Sequence, residues 1–182
     1  MWWAVPAWAA TVDADLNRQP VLVVDLAADG HVREVAVVLR VAAPPEVVWA
    51  RLVAFDRYAE WVPLVEKSEL LPSTDGRTVV SWVISAPGPN VHFVGAYTVD
   101  ASQWLITGVQ TSGQLTGSTW SWSLQAEAGG TRVTRKTYVS AVTDNWLLRA
   151  LDDESHTLEI ALNTASPVVE LVALKRAVER DQ

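Results

Sequence analysis

The chain contains no cysteine in its 182 residues. That absence removes disulfides, zinc–thiolate sites and thiol nucleophiles together, and it leaves the redox compartment undetermined. There is no basic run either. With a formal net charge of -7 and a pI near 4.9, the chain lacks the clustered Lys and Arg that generate non-specific nucleic-acid affinity, so no nucleic-acid partner is expected. No apolar stretch approaches the ~20 residues a membrane helix needs, so no stable transmembrane segment is expected. A Walker loop, a dinucleotide glycine fingerprint and a Ser-His-Asp order are all missing. The histidines, His31, His92 and His156, fall in a turn, on a strand and near a helix start, too scattered for a metal triad. From motifs alone there is no catalytic residue, no metal site and no cofactor to assign.

Phenylalanine is scarce as well, with two residues against ten tryptophans. An indole is large, and its N–H needs an acceptor when buried. Trp49, Trp61, Trp82, Trp104, Trp120, Trp122 and Trp146 are spread over predicted elements, where bulky core filling is the plain reading and the wall of an aromatic cavity is the alternative. Trp2, Trp3 and Trp8 crowd the start. The segment MWWAVPAWAA lacks a positive flank and is broken by Pro6, which makes it a poor signal peptide unless it ends a longer one. The expected location is therefore cytoplasmic by default, and exported or periplasmic if residues 1–10 close such a signal. A hydrophobic content of 49% is enough for one domain that buries roughly 70% of its unfolded surface. Residues 1–30 read as an extension carrying an extra strand, and 31–182 as the domain.

Hydrophobic periodicity supplies the elements. Pro20 to Leu26 and Val32 to Val41 flank an Asp29-Gly30 turn and read as a hairpin, with Val35, Val37, Leu39 and Val41 on one face. Pro44 and Pro45 suit the first turn of a helix, whose buried stripe is Val48, Leu52 and Phe55. Asp56 is positioned to cap a second short helix, Arg57 to Trp61, ended by Pro63. Six period-two runs follow: Val65 to Leu71, Thr78 to Ser85, Val91 to Val99, Trp104 to Val109, Gly117 to Gln125 and Arg132 to Ser140. Asp75-Gly76, Pro87-Gly88-Pro89-Asn90 and Gly129-Gly130 lie between them as turns. The last third is helical, with Asp144 as a plausible cap and Leu147, Leu151, Leu158, Leu162, Ala165, Val169 and Val172 in one stripe. Pro167 cannot donate to the Asn163 carbonyl, so a kink or break is expected there, and Asp152-Asp153-Glu154 offers another.

A twisted antiparallel sheet cannot close on one straight helix without leaving a gap, and the gap is a pocket. The run VAAPPEVVWARLVAFDRYAEWVPLVEKSEL, with STWSWSLQAEAGGTRVTRKTYVS downstream and a long terminal helix, resembles the START-like (SRPBCC) superfamily. The resemblance covers about residues 33 to 180. It implies an α+β helix-grip fold with a curved antiparallel sheet of about seven strands, two short helices after the first superfamily strand and a long, kinked C-terminal helix. That superfamily includes lipid-transfer START domains, polyketide cyclases and dehydratases, and coenzyme Q-binding proteins. Its motifs mark helix packing and say little about chemistry.

Strand parity narrows the candidate cavity residues. Trp82, Phe93, Tyr97, Trp120 and Trp122 fall on the faces that would line a pocket, and Trp61 and Trp146 complete the set from the helical segments. Arg135 shares a face with Val133, Thr137 and Val139. If that face points inward, its guanidinium requires an anionic or carbonyl partner, which a ligand head group or a carboxylate near the sheet edge would supply. Asp56, Arg57 and Tyr58 look catalytic in isolation, but capping and packing account for Asp56 and Tyr58. The leading expectation is a carrier of a hydrophobic or aromatic small molecule such as a lipid, quinone or polyketide. A cyclase or dehydratase using the same cavity is the alternative, marked by convergence of Arg135, Tyr97 or His92, and a protein-interaction module is the second alternative. The sequence leaves the oligomeric state open.

Overall fold

The structure, a computed structural model, describes residues 16, 19–85, 89–113, 116–138 and 156–181. Residues 1–10, Asp144, Trp146 and the Asp152-Asp153-Glu154 site lie outside the described residues. Strands β1 (Val21–Leu26) and β2 (Val32–Val41) are followed by helix α1 (Pro45–Val53) and a 3-10 helix (Phe55–Glu60). Then come β3 (Val65–Thr74), β4 (Arg77–Ile84), β5 (Val91–Asp100), β6 (Leu105–Gly113), β7 (Thr119–Glu127), β8 (Gly130–Tyr138) and the 25-residue helix α2 (His156–Arg180). The strands form one antiparallel sheet in the order β1-β2-β8-β7-β6-β5-β4-β3. Its eight strands are the expected seven or so plus β1, which adds to β2 at the edge of the sheet.

The turn chemistry sets the register. Thr74 pairs with Arg77 across Asp75 and Gly76, whose φ values of 53° and 73° are both positive. A two-residue loop of this hand matches the twist of the flanking strands, and Asp-Gly tolerates it. The pairing is irregular at Val65/Lys67 and at Val94/Gly95, and irregularities of this kind locally bend a strand and increase its twist. On β2, Val35, Val37, Leu39 and Val41 are all buried while their neighbours alternate outward. Val37 sits opposite Arg135 on β8, and Arg135 sits opposite Trp122 on β7, so these three share the concave face.

Two short helical segments close one end of the sheet. Pro44 is the N-cap of α1 and Pro45 its first residue, so the missing N–H groups fall where no helical acceptor exists anyway. Val48, Leu52 and, from the 3-10 helix, Phe55 are buried. Asp56 does not cap this segment: Ala54 holds the N-cap position and Asp56 lies inside the first turn. The expected second α-helix from Arg57 is a 3-10 helix starting two residues earlier, tight enough to turn Phe55 and Tyr58 inward together.

Helix α2 runs through Pro167 without dividing into two helices. Its C-terminal half is fastened firmly. Leu171, Leu174 and Val178 are almost fully buried, each stabilising the fold by about 1.5–3 kcal/mol through burial. Val172, assigned to the buried stripe from periodicity, is only half-buried, because the core-facing stripe passes through Leu171 and Leu174 instead. Lys175 Nζ donates to the Arg40 carbonyl at 2.8 Å, Glu179 accepts the Ala42 N–H at 2.8 Å, and Arg51 pairs with Asp181.

Candidate functional site

Because α2 is anchored at its C-terminal end, its earlier turns span the concave sheet with space beneath them. The space has a volume of about 540 Å³, and Ala165, Ser166, Pro167, Val169 and Glu170 form its helical wall. Ala165 and Ser166 are exposed and Leu64, opposite, is 39% exposed, so these residues rim an opening. The floor is aromatic. Trp82, Phe93, Tyr97, Trp120 and Trp122, all singled out by strand parity, lie on the cavity wall with Arg135. Trp61 does not: it is buried against Tyr58, with ring centroids 4.5 Å apart, and Tyr58 takes the wall position. The cause is the 3-10 geometry, which sends Tyr58 under α2 and its hydroxyl to the Leu52 carbonyl at 2.9 Å.

The rings form a connected set. Trp82 meets Tyr58 edge-on at 5.1 Å and lies nearly parallel to Phe93 at 6.2 Å, while Tyr97 touches Phe55 at 4.6 Å and Trp120 at 5.6 Å. Contacts of this kind add about 0.5–1.5 kcal/mol per pair beyond burial. Trp120 can lie flat on the sheet only because its cross-strand neighbour is Gly108: a Cβ there would collide with the indole nitrogen and two ring carbons. Replacing Gly108 by Ala is therefore expected to expel the indole and destabilise the fold by about 1–3 kcal/mol, as overpacking does elsewhere. A urea midpoint unchanged from wild type would contradict this.

Arg135 is the charged member of the wall and only 6% exposed. Its Nε donates to Glu170 Oε2 at 2.9 Å and its Nη1 to the Lys136 carbonyl at 2.9 Å. The guanidinium carbon lies 4.9 Å from the Trp122 ring centroid and 5.9 Å from that of Trp120, within cation–π range. Glu170 also accepts the Ser166 hydroxyl at 2.7 Å, so both carboxylate oxygens are engaged. The partner that Arg135 required is thus a carboxylate, though one on α2 above the cavity and not at the sheet edge. Glu170 and Ser166 were not identified from the sequence, and Tyr58 was assigned to packing only. The available signal was a Ser/Glu pair spaced i, i+4 beside the apolar stripe and straddling Pro167.

Both inward tyrosines hold their protons tightly. Burial pushes the Tyr58 hydroxyl well above the ordinary phenol range, and burial likewise pushes Tyr97 far up. At Tyr97 the Arg135 charge and the indole N–H groups of Trp82 and Trp120 act in the opposite direction, although Trp82 Nε1 reaches no acceptor at hydrogen-bonding geometry. Tyr97 is therefore a donor at neutral pH. His92 is exposed on the opposite face of β5, and Arg57 forks outward onto Glu60 at 2.9 and 2.7 Å. Among the described residues no group of His, Asp or Glu has the arrangement of a metal site, and no helix is long and apolar enough to cross a membrane.

An antiparallel sheet wrapped on one terminal helix, with two short helices closing its end and an aromatic cavity between, is the helix-grip architecture. The model of the family described as polyketide cyclase / dehydrase and lipid transport matches residues 32–156, more than half of the chain. The chain belongs to this family. Solved structures agree in fold. The Zhui aromatase/cyclase from Streptomyces sp. R1128 superposes with a TM-score of 0.68 at 23% identity, covering 81% of this chain and 94% of its own. A STAR-related lipid transfer protein fragment from Xanthomonas axonopodis gives 0.68 at 21% identity, covering 89% and 94%. A START superfamily protein from Mycobacterium smegmatis gives 0.60 at 21% identity, covering 82% and 99%. No curated protein matches the chain. Within this START-like family member, β1 and nearly all of α2, including Glu170, lie outside the matched residues.

Proposed function

We propose that this START-like protein binds and carries a hydrophobic, aromatic small molecule in the cavity beneath α2. The observation that supports it best is the wall itself: a space of about 540 Å³, within the roughly 300–1,000 Å³ usual for small-molecule sites, bordered by six aromatic side chains and one ion pair. The family supports the same reading, since its description joins cyclases and dehydrases with lipid transport. Native mass spectrometry and solvent extraction of the purified protein test it. A bound apolar molecule that leaves on extraction is the expected result. If nothing co-purifies and no lipid, quinone or polyketide in a panel changes the tryptophan fluorescence, the reading fails.

A second reading, a cyclase or dehydratase, draws on one specific feature. Arg135 and Tyr97 share the cavity wall, with Glu170 paired to Arg135, so donors and a carboxylate border the same space. Against it, both Glu170 oxygens are engaged and His92 faces away. Turnover of a poly-β-ketone by the wild type that disappears in Glu170→Gln would favour catalysis over carriage.

A further inference from the structure

The two edges of the sheet are guarded unequally. At one edge, β3 carries exposed Glu66, Lys67 and Glu69, exposed Pro72, and irregular pairing at Val65/Lys67 and at Leu71/Thr74. Charge, proline and irregular pairing are the devices that keep an edge strand from joining another chain. At the other edge, among the described residues, stands β1. Pro20 precedes it, and Asp25 and an irregular pairing at Asp25/Leu26 end it, but Val21 to Val24 is an unbroken apolar run regularly paired to β2. Leu22, Val23 and Leu26 are exposed. Leu22 lies opposite Val37 on the concave face and Val23 opposite Ala36 on the convex one, so apolar side chains flank the open backbone on both faces. In a strand paired on one side only, every second residue turns its N–H and C=O outward without a partner in the sheet. β1 also lies outside the residues that the family model matches.

We propose that β1 pairs antiparallel with β1 of a second copy of this chain, about a two-fold axis beside Val23, joining two eight-stranded sheets into one. Val23 is the middle of the regular stretch Val21 to Asp25, and such an axis sets it opposite its own copy on the convex face, with Leu22 of each chain opposite Val24 of the other on the concave face. Charge permits the pairing. Asp25 lies 3.9 Å from Arg33, and Lys136 Nζ donates to Glu34 at 2.8 Å, so the surroundings of the strand are balanced. The two Asp25 residues stand four residues apart along the strands, about 13 Å, beyond the Debye length of about 8 Å. A two-fold closes the assembly at two copies, whereas β1 against the guarded β3 edge would keep adding chains. The axis is normal to the sheet, so both α2 helices and both cavity openings lie on the same side. A six-residue strand pair is a small interface, and association in the micromolar range is expected.

Sedimentation velocity of the full chain over rising concentration tests the pairing. A shift from 19.9 kDa to twice that mass is expected. Val23→Lys sets two like charges directly opposite one another and should raise the dissociation constant about tenfold or more, with the melting curve near wild type because the side chain is exposed. The chain has no cysteine, so Val23→Cys gives an independent reading: mild oxidation should link it into a dimer, since directly opposite residues suit disulfide geometry, while Leu70→Cys on β3 should stay unlinked. A chain that is monomeric at every concentration overturns the proposal. So does a dimer that survives Val23→Lys and does not link through Val23→Cys, and so does open-ended growth. A monomer whose Val21 to Asp25 amides are nonetheless protected from exchange would mean that another segment of this chain takes the edge, which overturns it as well.

Discussion

Titration into alkali is expected to unfold the protein cooperatively between about pH 11 and pH 12. Two of the three tyrosines, Tyr58 and Tyr97, are each 5% exposed, and burial raises both above the ordinary range. In the unfolded chain a phenol deprotonates near pH ~10. Above that pH the native state binds more protons than the unfolded state, so stability falls as pH rises, and the contribution is fully present only below about pH 10. Wherever the native state keeps both phenols protonated, each costs about 1.4 kcal/mol of stability per pH unit above ~10, a loss drawn from the roughly 5–15 kcal/mol of a typical domain. Tyrosinate absorbance and circular dichroism should change together, and Tyr97→Phe should move the transition upward. Smooth ionisation near pH ~10 with the fold intact would show that the two rings are not held as described.

Substituting Glu170 by Ala should give the largest loss of stability of any single change at the cavity. It strands a guanidinium that is buried and half-committed, and breaking such a pair from one side costs about 3–5 kcal/mol. Removing both partners should cost far less, because the Arg135→Met/Glu170→Met combination trades desolvated charge for apolar contact with Trp120 and Trp122. Thermal melts of the two singles and the double form a cycle. A double variant as unstable as Glu170→Ala would mean the ion pair is not the element that joins β8 to α2. Because the C-terminal fastenings of α2, through Lys175 and Glu179 and through Asp181 just beyond the helix, are untouched by the change, the loss should appear first as faster amide exchange around residues 165–170.

The residues most readable in the sequence were those governed by local rules. The paired prolines placed the start of α1, Asp75-Gly76 fixed a hairpin, and period-two alternation grouped Trp82, Phe93, Tyr97, Trp120 and Trp122, which share the cavity wall with Arg135, whose direction alternation left open. Parity is reliable there because side chains on a strand have only two directions. No such two-way rule governs the helical segment, where a 3-10 turn in place of the α-helix leaves Trp61 packed on Tyr58 and puts Ala54, not Asp56, at the cap. Pro167 was expected to kink or divide the terminal helix. It lies inside one helix that continues to Arg180, where packing by Leu171 and Leu174 anchors the turns that follow it.

The amino-acid sequence by itself determined the order of elements and the side of the sheet on which the aromatic residues stand, since these follow from short-range periodicity and turn chemistry, while the helix-grip class followed from the family resemblance. Only the tertiary structure decided what faces them. Glu170 lies 35 residues from Arg135 along the chain, and Gly108 accommodates Trp120 from another strand. Such pairings depend on how sheet curvature and helix anchoring bring distant segments to within hydrogen-bond range, and no local pattern encodes that distance. Whether the cavity's polar end is charged or neutral therefore rested on a contact the sequence could only require, as a partner for Arg135, without naming the residue that supplies it.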